Sequence, residues 1–117
     1  WTLFYPAGSS EGMLGDEVAS FLAARSGTPC GTVVVAFAGG AVNKIGIPRR
    51  EFRRTLAACS AASTCDQLYL SDPSGMSFYS LDRDKLEQDL RAVLSYYSHC
   101  VLIGNCMGAT AALRFAH

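Results

Sequence analysis

The chain has 117 residues, half of them apolar, and its ten basic side chains balance ten acidic ones. This length predicts one domain with a modest core, and 50% apolar with 17% charged residues excludes a disordered chain. Zero net charge offers no electrostatic footprint for nucleic acid. The longest apolar stretch, residues 33–42 with their two glycines, is far shorter than the ~18 residues of a membrane span. No charged and then apolar leader opens the chain, and because it begins with Trp1 we expect a processed or partial polypeptide.

Five cysteines occur along the chain: Cys30, Cys59, Cys65, Cys100 and Cys106. An odd number without Cys-x-x-Cys spacing predicts neither a disulfide framework nor a zinc site. Most of them lie beside apolar segments, where a free cysteine behaves as a small hydrophobic residue. We therefore expect a reducing, cytoplasmic location, with no metal and no cofactor.

Residues 1–31 form a poorly defined lead-in, in which residues 2–5 suit a strand and residues 15–25 a helix. Residues 32–38 are apolar and β-branched without polar alternation, which predicts a strand buried on both faces. A glycine-containing polar loop then leads to Pro48, which suits the first position of an amphipathic helix over 48–60. We interpret the arginines on its other face as solvated rather than anion-binding; they are Arg49, Arg50, Arg53 and Arg54.

A second strand is predicted over residues 66–70, followed by a turn-rich segment. The next helix has Asp82 at its N-cap, an apolar stripe from Leu86 to Tyr97 and a Glu87–Arg91 pair on its wet side. Residues 100–103 predict a third buried strand, and a last helix begins at Met107. Strands alternating with helices over residues 32–117 predict right-handed crossovers and a mainly parallel sheet in a three-layer α/β/α domain.

The sharpest chemical signal is Gly104-Asn105-Cys106-Met107-Gly108, between the third strand and the last helix. A nucleophile there lies on a tight, strained turn, and the two glycines let the sheet and the helix approach each other. The helix N-terminus favours a thiolate and negative charge on a substrate. This segment resembles the nucleophile elbow, Gly-x-Ser-x-Gly, of the α/β-hydrolase family, with cysteine in place of serine.

The resemblance implies an incomplete α/β-hydrolase fold over residues 32–117. Its oxyanion hole would take the backbone N–H of Met107 and that of Gly40 or Ala41, in a loop where the family often has a His-Gly-Gly type sequence and this chain has Ala38-Gly39-Gly40. Residues 70–77 resemble the family's Asp-x-x-Gly-x-Gly-x-Ser loop without its second glycine.

In this family the acid and the histidine of the catalytic triad follow the nucleophile along the chain. His99 precedes the third strand at the opposite end of the sheet, His117 ends the last helix, and Asp72 is interpreted as a turn former. We therefore expect both partners further downstream in the same polypeptide. The 117 residues alone are expected to be inactive, to expose an apolar sheet edge and to fold poorly or associate.

The resemblance implies a hydrolase or acyltransferase that uses a small-molecule acyl substrate, of ester type, through an acyl–Cys106 thioester. Two alternatives stay open. A class I glutamine amidotransferase-like thiol enzyme has a similar turn, but predicts a different sheet order and no crossover helix at 83–97. A catalytically silent binding module predicts that no histidine and acid converge on Cys106.

Overall fold

The computed structural model describes residues 2–5, 13–14, 31–39, 51–71 and 83–116. Its strands are β1 (Thr2–Tyr5), β2 (Met13–Leu14), β3 (Thr32–Phe37), β4 (Asp66–Leu70) and β5 (His99–Gly104). Its helices are α1 (Arg53–Ala58), α2 (Arg83–Leu94) and α3 (Met107–Arg114), with a 3₁₀ turn at Ala62–Thr64.

The five strands form one sheet in the order β2-β1-β4-β3-β5. Strand β3 lies at the centre of a parallel unit, with β4 on one side and β5 on the other. Strand β1 pairs antiparallel with both β4 and β2. Three parallel strands alternating with helices confirm the mixed α/β class predicted from the sequence.

Strand β4 has the predicted bounds, and β3 ends one residue early at Phe37. Helix α1 is shorter than the predicted 48–60: Phe52 is its N-cap, and the extended backbone of Cys59 (φ −92°, ψ 111°) ends it. Helix α2 stops at Leu94, so Tyr97 follows the helix instead of continuing its stripe. Residues 48–50, the predicted helix at 15–25 and the predicted cap at Asp82 lie outside the described residues.

Residues 100–103 lie in a strand, as predicted, but the prediction that this strand is buried is wrong. Among the described strands, β5 pairs with β3 alone and forms an edge of the sheet. Its first half is exposed, and Val101 retains 45% of its surface accessible to solvent. A run of apolar residues indicates that a segment can form a strand with apolar side chains. Whether the strand is buried depends on its place in the sheet, which is determined by contacts distant in sequence. The structure thus places apolar side chains at an exposed sheet edge.

Helices cover both faces of the parallel strands. On one face, Val33, Val35 and Phe37 of β3 belong to a core with residues of α2 and α3, including Leu90 and Ala111. On the opposite face, Val34 and Ala36 pack in a second core with Leu56 of α1 and Tyr69 of β4. The inward and outward residues of β3 therefore both meet apolar partners, which explains why this strand has no polar alternation.

The direction of the connections explains this distribution of helices. The connection from β3 through α1 leads to β4 on one side, and the connection from β4 through α2 leads back past β3 to β5. Right-handed crossovers that run in opposite directions place their helices on opposite faces of the sheet. The helix after β3 and the helix after β5 accordingly pack on opposite faces, α1 with one core and α3 with the other. In open α/β sheets, a crevice that binds ligands generally lies at such a switch point, beyond the carboxyl ends of the two strands.

A buried hydrogen bond joins elements at the other end of the sheet. The phenol of Tyr97 donates to Oδ2 of Asp66, the first residue of β4, over 2.7 Å. Asp66 is only 5% exposed and Tyr97 6%. The partnership satisfies polar atoms that would otherwise be costly to bury. It links the segment after α2 to the first residue of β4.

In the part of the chain described above, no helix combines the length and the apolar character needed to cross a membrane.

Candidate functional site

Cys106 occupies the turn between β5 and α3. Its backbone has φ 52° and ψ −119°, and it is the one non-glycine residue with positive φ in the described part of the chain. Such a conformation costs on the order of 1–3 kcal/mol for a residue with a Cβ atom. The thiol is free and the residue exposed, and its side chain makes no capping hydrogen bond to α3. The strained turn thus presents a thiol to solvent.

The flanking glycines are required by close backbone approaches. A Cβ atom on Gly104 would overlap the carbonyl group of Gly108. A Cβ atom on Gly108 would overlap the carbonyl oxygen of Phe37 and come within 2.8 Å of that of Ala38. Any larger residue would push α3 away from the end of β3. Glycine at both positions therefore allows the strand, the turn and the helix to converge at Cys106.

The first turn of α3 begins directly at the thiol-bearing residue. Asn105 accepts a hydrogen bond from the N–H of Gly108 over 2.9 Å, and Cys106 accepts one from Ala109 over 3.1 Å. Met107, the residue predicted to donate to an oxyanion, is the first of the helix and 40% exposed. The positive end of the helix dipole therefore lies beside Cys106, where it favours negative charge.

The segment after β3 forms the second side of the site. Ala38 extends the parallel pairing by donating its N–H to Leu70 over 2.9 Å. A Cβ atom placed on Gly39 would lie 3.4 Å from the carbonyl oxygen of Asn105 and 3.8 Å from Cβ of Cys106. The segment that follows β3 thus starts in contact with the turn that carries Cys106. Gly40 and Ala41, the predicted second oxyanion donors, lie outside the described residues.

Glu51 joins the two sides of the site, a role that the sequence analysis did not assign. Its Oε2 accepts the backbone N–H of Gly39 over 2.9 Å. Its Oε1 accepts Nδ2 of Asn105 over 2.7 Å. Glu51 immediately precedes the N-cap of α1, and it is the acid that follows Arg49 and Arg50 in the sequence. An acidic residue directly after two arginines was the one sequence feature that could have drawn attention to Glu51. It does not indicate hydrogen-bond partners 12 and 54 residues away.

Of the two histidines expected to be remote from Cys106, His99 lies in the described part of the chain and is remote. His99 is exposed at the start of β5, in register with Thr32 at the amino end of β3. Cys106 follows the carboxyl end of β5, so the two residues lie at opposite ends of the strand. Arg53 and Arg54 are exposed on α1, in agreement with a solvated face. Other residues considered above lie outside the described part: Arg49, Arg50, Asp72 and His117.

The described cysteines differ in their surroundings. Cys59, Cys100 and Cys106 are exposed free residues, and Cys65 is half-buried. Partial burial of its thiol raises the pKa of Cys100, whose Sγ lies 3.9 Å from the carbonyl oxygen of Leu94. Among the described residues, no three or more His, Cys, Asp or Glu side chains are grouped so that they could hold a metal ion.

Comparison with known proteins gives no relative: no family model, curated protein or solved structure matches the chain. Function is therefore inferred from the geometry at Cys106.

Proposed function

We propose that this chain is the nucleophile-bearing part of an α/β-hydrolase-like enzyme that transfers an acyl group from a small ester-type substrate to Cys106. The observation that carries the proposal is the backbone of Cys106, with φ 52° and ψ −119°, between two glycines that permit no Cβ atom. Strain of this kind concentrates at functional sites because a particular side-chain position requires it. A sharp strand-to-helix turn that exposes its side chain is the geometry of a nucleophile elbow.

In the proposed reaction, the thiolate of Cys106 attacks the acyl carbon of the ester and forms a C–S bond. The carbonyl oxygen becomes an oxyanion between the N–H of Met107 and that of Gly40 or Ala41. The C–O bond then breaks, and the departing alkoxide takes a proton from the triad histidine that the hydrolase resemblance implies. Water, or another acceptor, then attacks the thioester carbon and gives its proton to the histidine, and the C–S bond breaks to release the acyl product and regenerate the thiolate. Each well-placed oxyanion donor contributes roughly 10²–10³ in rate.

The position of the elbow in the sheet supports this proposal. Cys106 and Gly39 follow the adjacent strands β5 and β3 at their carboxyl ends, where the connections diverge to opposite faces. Ligands of open α/β sheets bind in this crevice. Helix α2, between β4 and β5, favours the hydrolase-like interpretation over the glutamine amidotransferase alternative, which predicts no crossover helix there.

The proposal is tested on the full-length protein with p-nitrophenyl butyrate, an activated acyl ester. We expect a burst of about one equivalent of p-nitrophenol and a butyryl adduct on the peptide containing Cys106. Cys106→Ala should abolish both signals, because it removes the thiol and keeps the Cβ atom. The matched control is Cys59→Ser, which removes another exposed free thiol and should leave the burst intact.

Two other results would redirect the assignment. Release of ammonia from L-glutamine without acylation by the ester would favour the amidotransferase alternative. A Cys106 that forms no adduct and reacts with iodoacetamide no faster than Cys59 would favour a silent binding module.

A further inference from the structure

We infer that Glu51 is a positioning residue that fixes the elbow and the loop after β3 relative to each other. The expected effect of Glu51 on acylation rests on the proposed function. Its effect on the position of the two segments rests on two hydrogen bonds to Glu51, from the N–H of Gly39 to Oε2 and from Nδ2 of Asn105 to Oε1. One carboxylate thereby connects the segments that follow two adjacent strands.

Both partners of Glu51 lie next to the reacting groups. Asn105 immediately precedes Cys106, and its carbonyl oxygen also accepts the N–H of Gly108 over 2.9 Å. The residue is therefore held through its backbone by α3 and through its side chain by Glu51. On the opposite side, the position of a Cβ atom on Gly39 is 3.8 Å from Cβ of Cys106. Small movements of either segment would change the distance between the thiol and the loop.

The chemistry of the carboxylate suits this position. Gly39 and Asn105 each present a donor, and a carboxylate offers two acceptor oxygens and no competing donor. Hydrogen bonds to a charged acceptor are among the stronger ones, so a single side chain can fix both segments.

The same contact narrows the choice of oxyanion donors. Because the N–H of Gly39 is donated to Glu51, the second donor comes from the residues beyond it, Gly40 or Ala41. Glu51 fixes the backbone of Gly39, the residue that immediately precedes them in the chain. Its expected role is to align the loop with the thiol, without touching the substrate.

The inference is tested with variants of the full-length protein that break and then restore the bridge. Glu51→Ala removes both acceptors. Asn105→Asp places two carboxylates face to face. The double variant Glu51→Gln/Asn105→Asp restores both bonds: the carbonyl oxygen of the introduced glutamine accepts from Gly39 as before, and its amide donates to the introduced aspartate, which reverses the side-chain bond. Glu87→Ala is the matched control, because it removes another carboxylate bound to a side chain, Arg91 on α2, away from the elbow.

Three quantities are measured on each variant: acylation of Cys106 by p-nitrophenyl butyrate, alkylation of Cys106 by iodoacetamide, and hydrogen exchange of the Gly39 amide. Alkylation by iodoacetamide forms no oxyanion and so does not need the aligned loop. We expect Glu51→Ala and Asn105→Asp to slow acylation at least about tenfold and alkylation less than about threefold. Gly39 exchange should accelerate at least about tenfold in Glu51→Ala. The double variant should return acylation to within about threefold of wild type, and Glu87→Ala should change none of the three.

Equal losses of acylation and alkylation would overturn the inference, since they would indicate a general structural role. So would a double variant that acylates no faster than Asn105→Asp, or Gly39 exchange that is unchanged in Glu51→Ala. If wild-type Cys106 is not acylated at all, the proposed function fails. The exchange of Gly39 then still decides whether Glu51 fixes the loop.

Discussion

The carbonyl oxygen of Phe37, the last residue of β3, occupies the place that a Cβ atom on Gly108 would need. Helix α3 therefore lies directly against backbone rather than against side chains at this point. Backbone cannot rotate aside as a flexible side chain does, so the contact fixes the distance between the helix and the strand. This close contact between α3 and β3 holds the turn at Cys106 beside the carboxyl end of β3.

Gly108→Ala should consequently destabilise the protein by about 2–3 kcal/mol, because α3 must move away from β3. In an ordinary helix the same change would stabilise by up to about 1 kcal/mol, since alanine is the better helix former. Urea unfolding of the full-length protein measures the difference. Thr110→Ala, at an exposed position of the same helix, should change stability by less than about 0.5 kcal/mol. An unchanged or higher urea midpoint for Gly108→Ala would show that the helix does not sit this close.

The positive φ of Cys106 predicts that a Cβ atom at this position lowers the stability of the protein. Cys106→Gly relieves the cost of placing a Cβ atom at φ 52°, whereas Cys106→Ala keeps it. Both variants lack the thiol, so their difference isolates the strain. We expect Cys106→Gly to be more stable than Cys106→Ala by about 1 kcal/mol in urea unfolding, and neither to give a p-nitrophenol burst. Equal stabilities of the two variants would argue against backbone strain at Cys106.

The sequence revealed those features whose cause is local. The run of β-branched residues in β3 predicts a strand because both faces of it are buried by neighbouring elements. The Gly-x-Cys-x-Gly segment is equally local, since its glycines are needed by a turn of five residues. A strand between helices, ending at a turn of this kind, follows from such patterns alone.

Features that depend on distant contacts were not predictable in this way. An exposed apolar sheet edge was expected only through the hydrolase resemblance, because no property of residues 100–103 expresses that β5 pairs with β3 alone among the described strands. The antiparallel pairing of β1 with β4 joins segments more than sixty residues apart. Glu51 resembles any charged residue near a helix start until its two partners are known. Sheet order and bridging side chains are properties of the assembled fold.

The hydrogen bond from Tyr97 to Asp66 should stabilise the fold without affecting the site. Tyr97→Phe removes one partner of a buried carboxylate and should cost about 1–3 kcal/mol in urea unfolding. Acylation of Cys106 should stay within about twofold of wild type, because the pair lies at the opposite end of the sheet. Tyr96→Phe, a half-buried neighbour in the same core, is the control and should cost less than about 0.5 kcal/mol. A large loss of acylation in Tyr97→Phe would contradict this separation of roles.

Cys100 should react slowly with iodoacetamide near neutral pH. Partial burial raises its pKa, which lowers the fraction present as thiolate at any pH below that pKa. Because the thiolate is the nucleophile, its reaction with iodoacetamide should be slower in the folded protein than in the urea-unfolded chain. Its rate should also reach half-maximum at a higher pH in the folded protein. Mass spectrometry of the peptide containing Cys100, after timed alkylation across a pH series, measures both effects.

The unfolded chain is the internal control for Cys100, because it has the same sequence around the thiol without the burial. A folded-state profile that coincides with the unfolded one, or lies at lower pH, would show that burial does not govern this thiol. Slow reaction of Cys100 also makes it a useful reference for Cys106. Cys100 is an exposed residue near the start of β5, and Cys106 is an exposed residue just after its end. Of the two, only Cys106 lies in a turn at a helix N-terminus. Under the proposed function Cys106 should be alkylated well before Cys100 at about pH 7, because burial raises the pKa of Cys100 and so lowers its thiolate fraction.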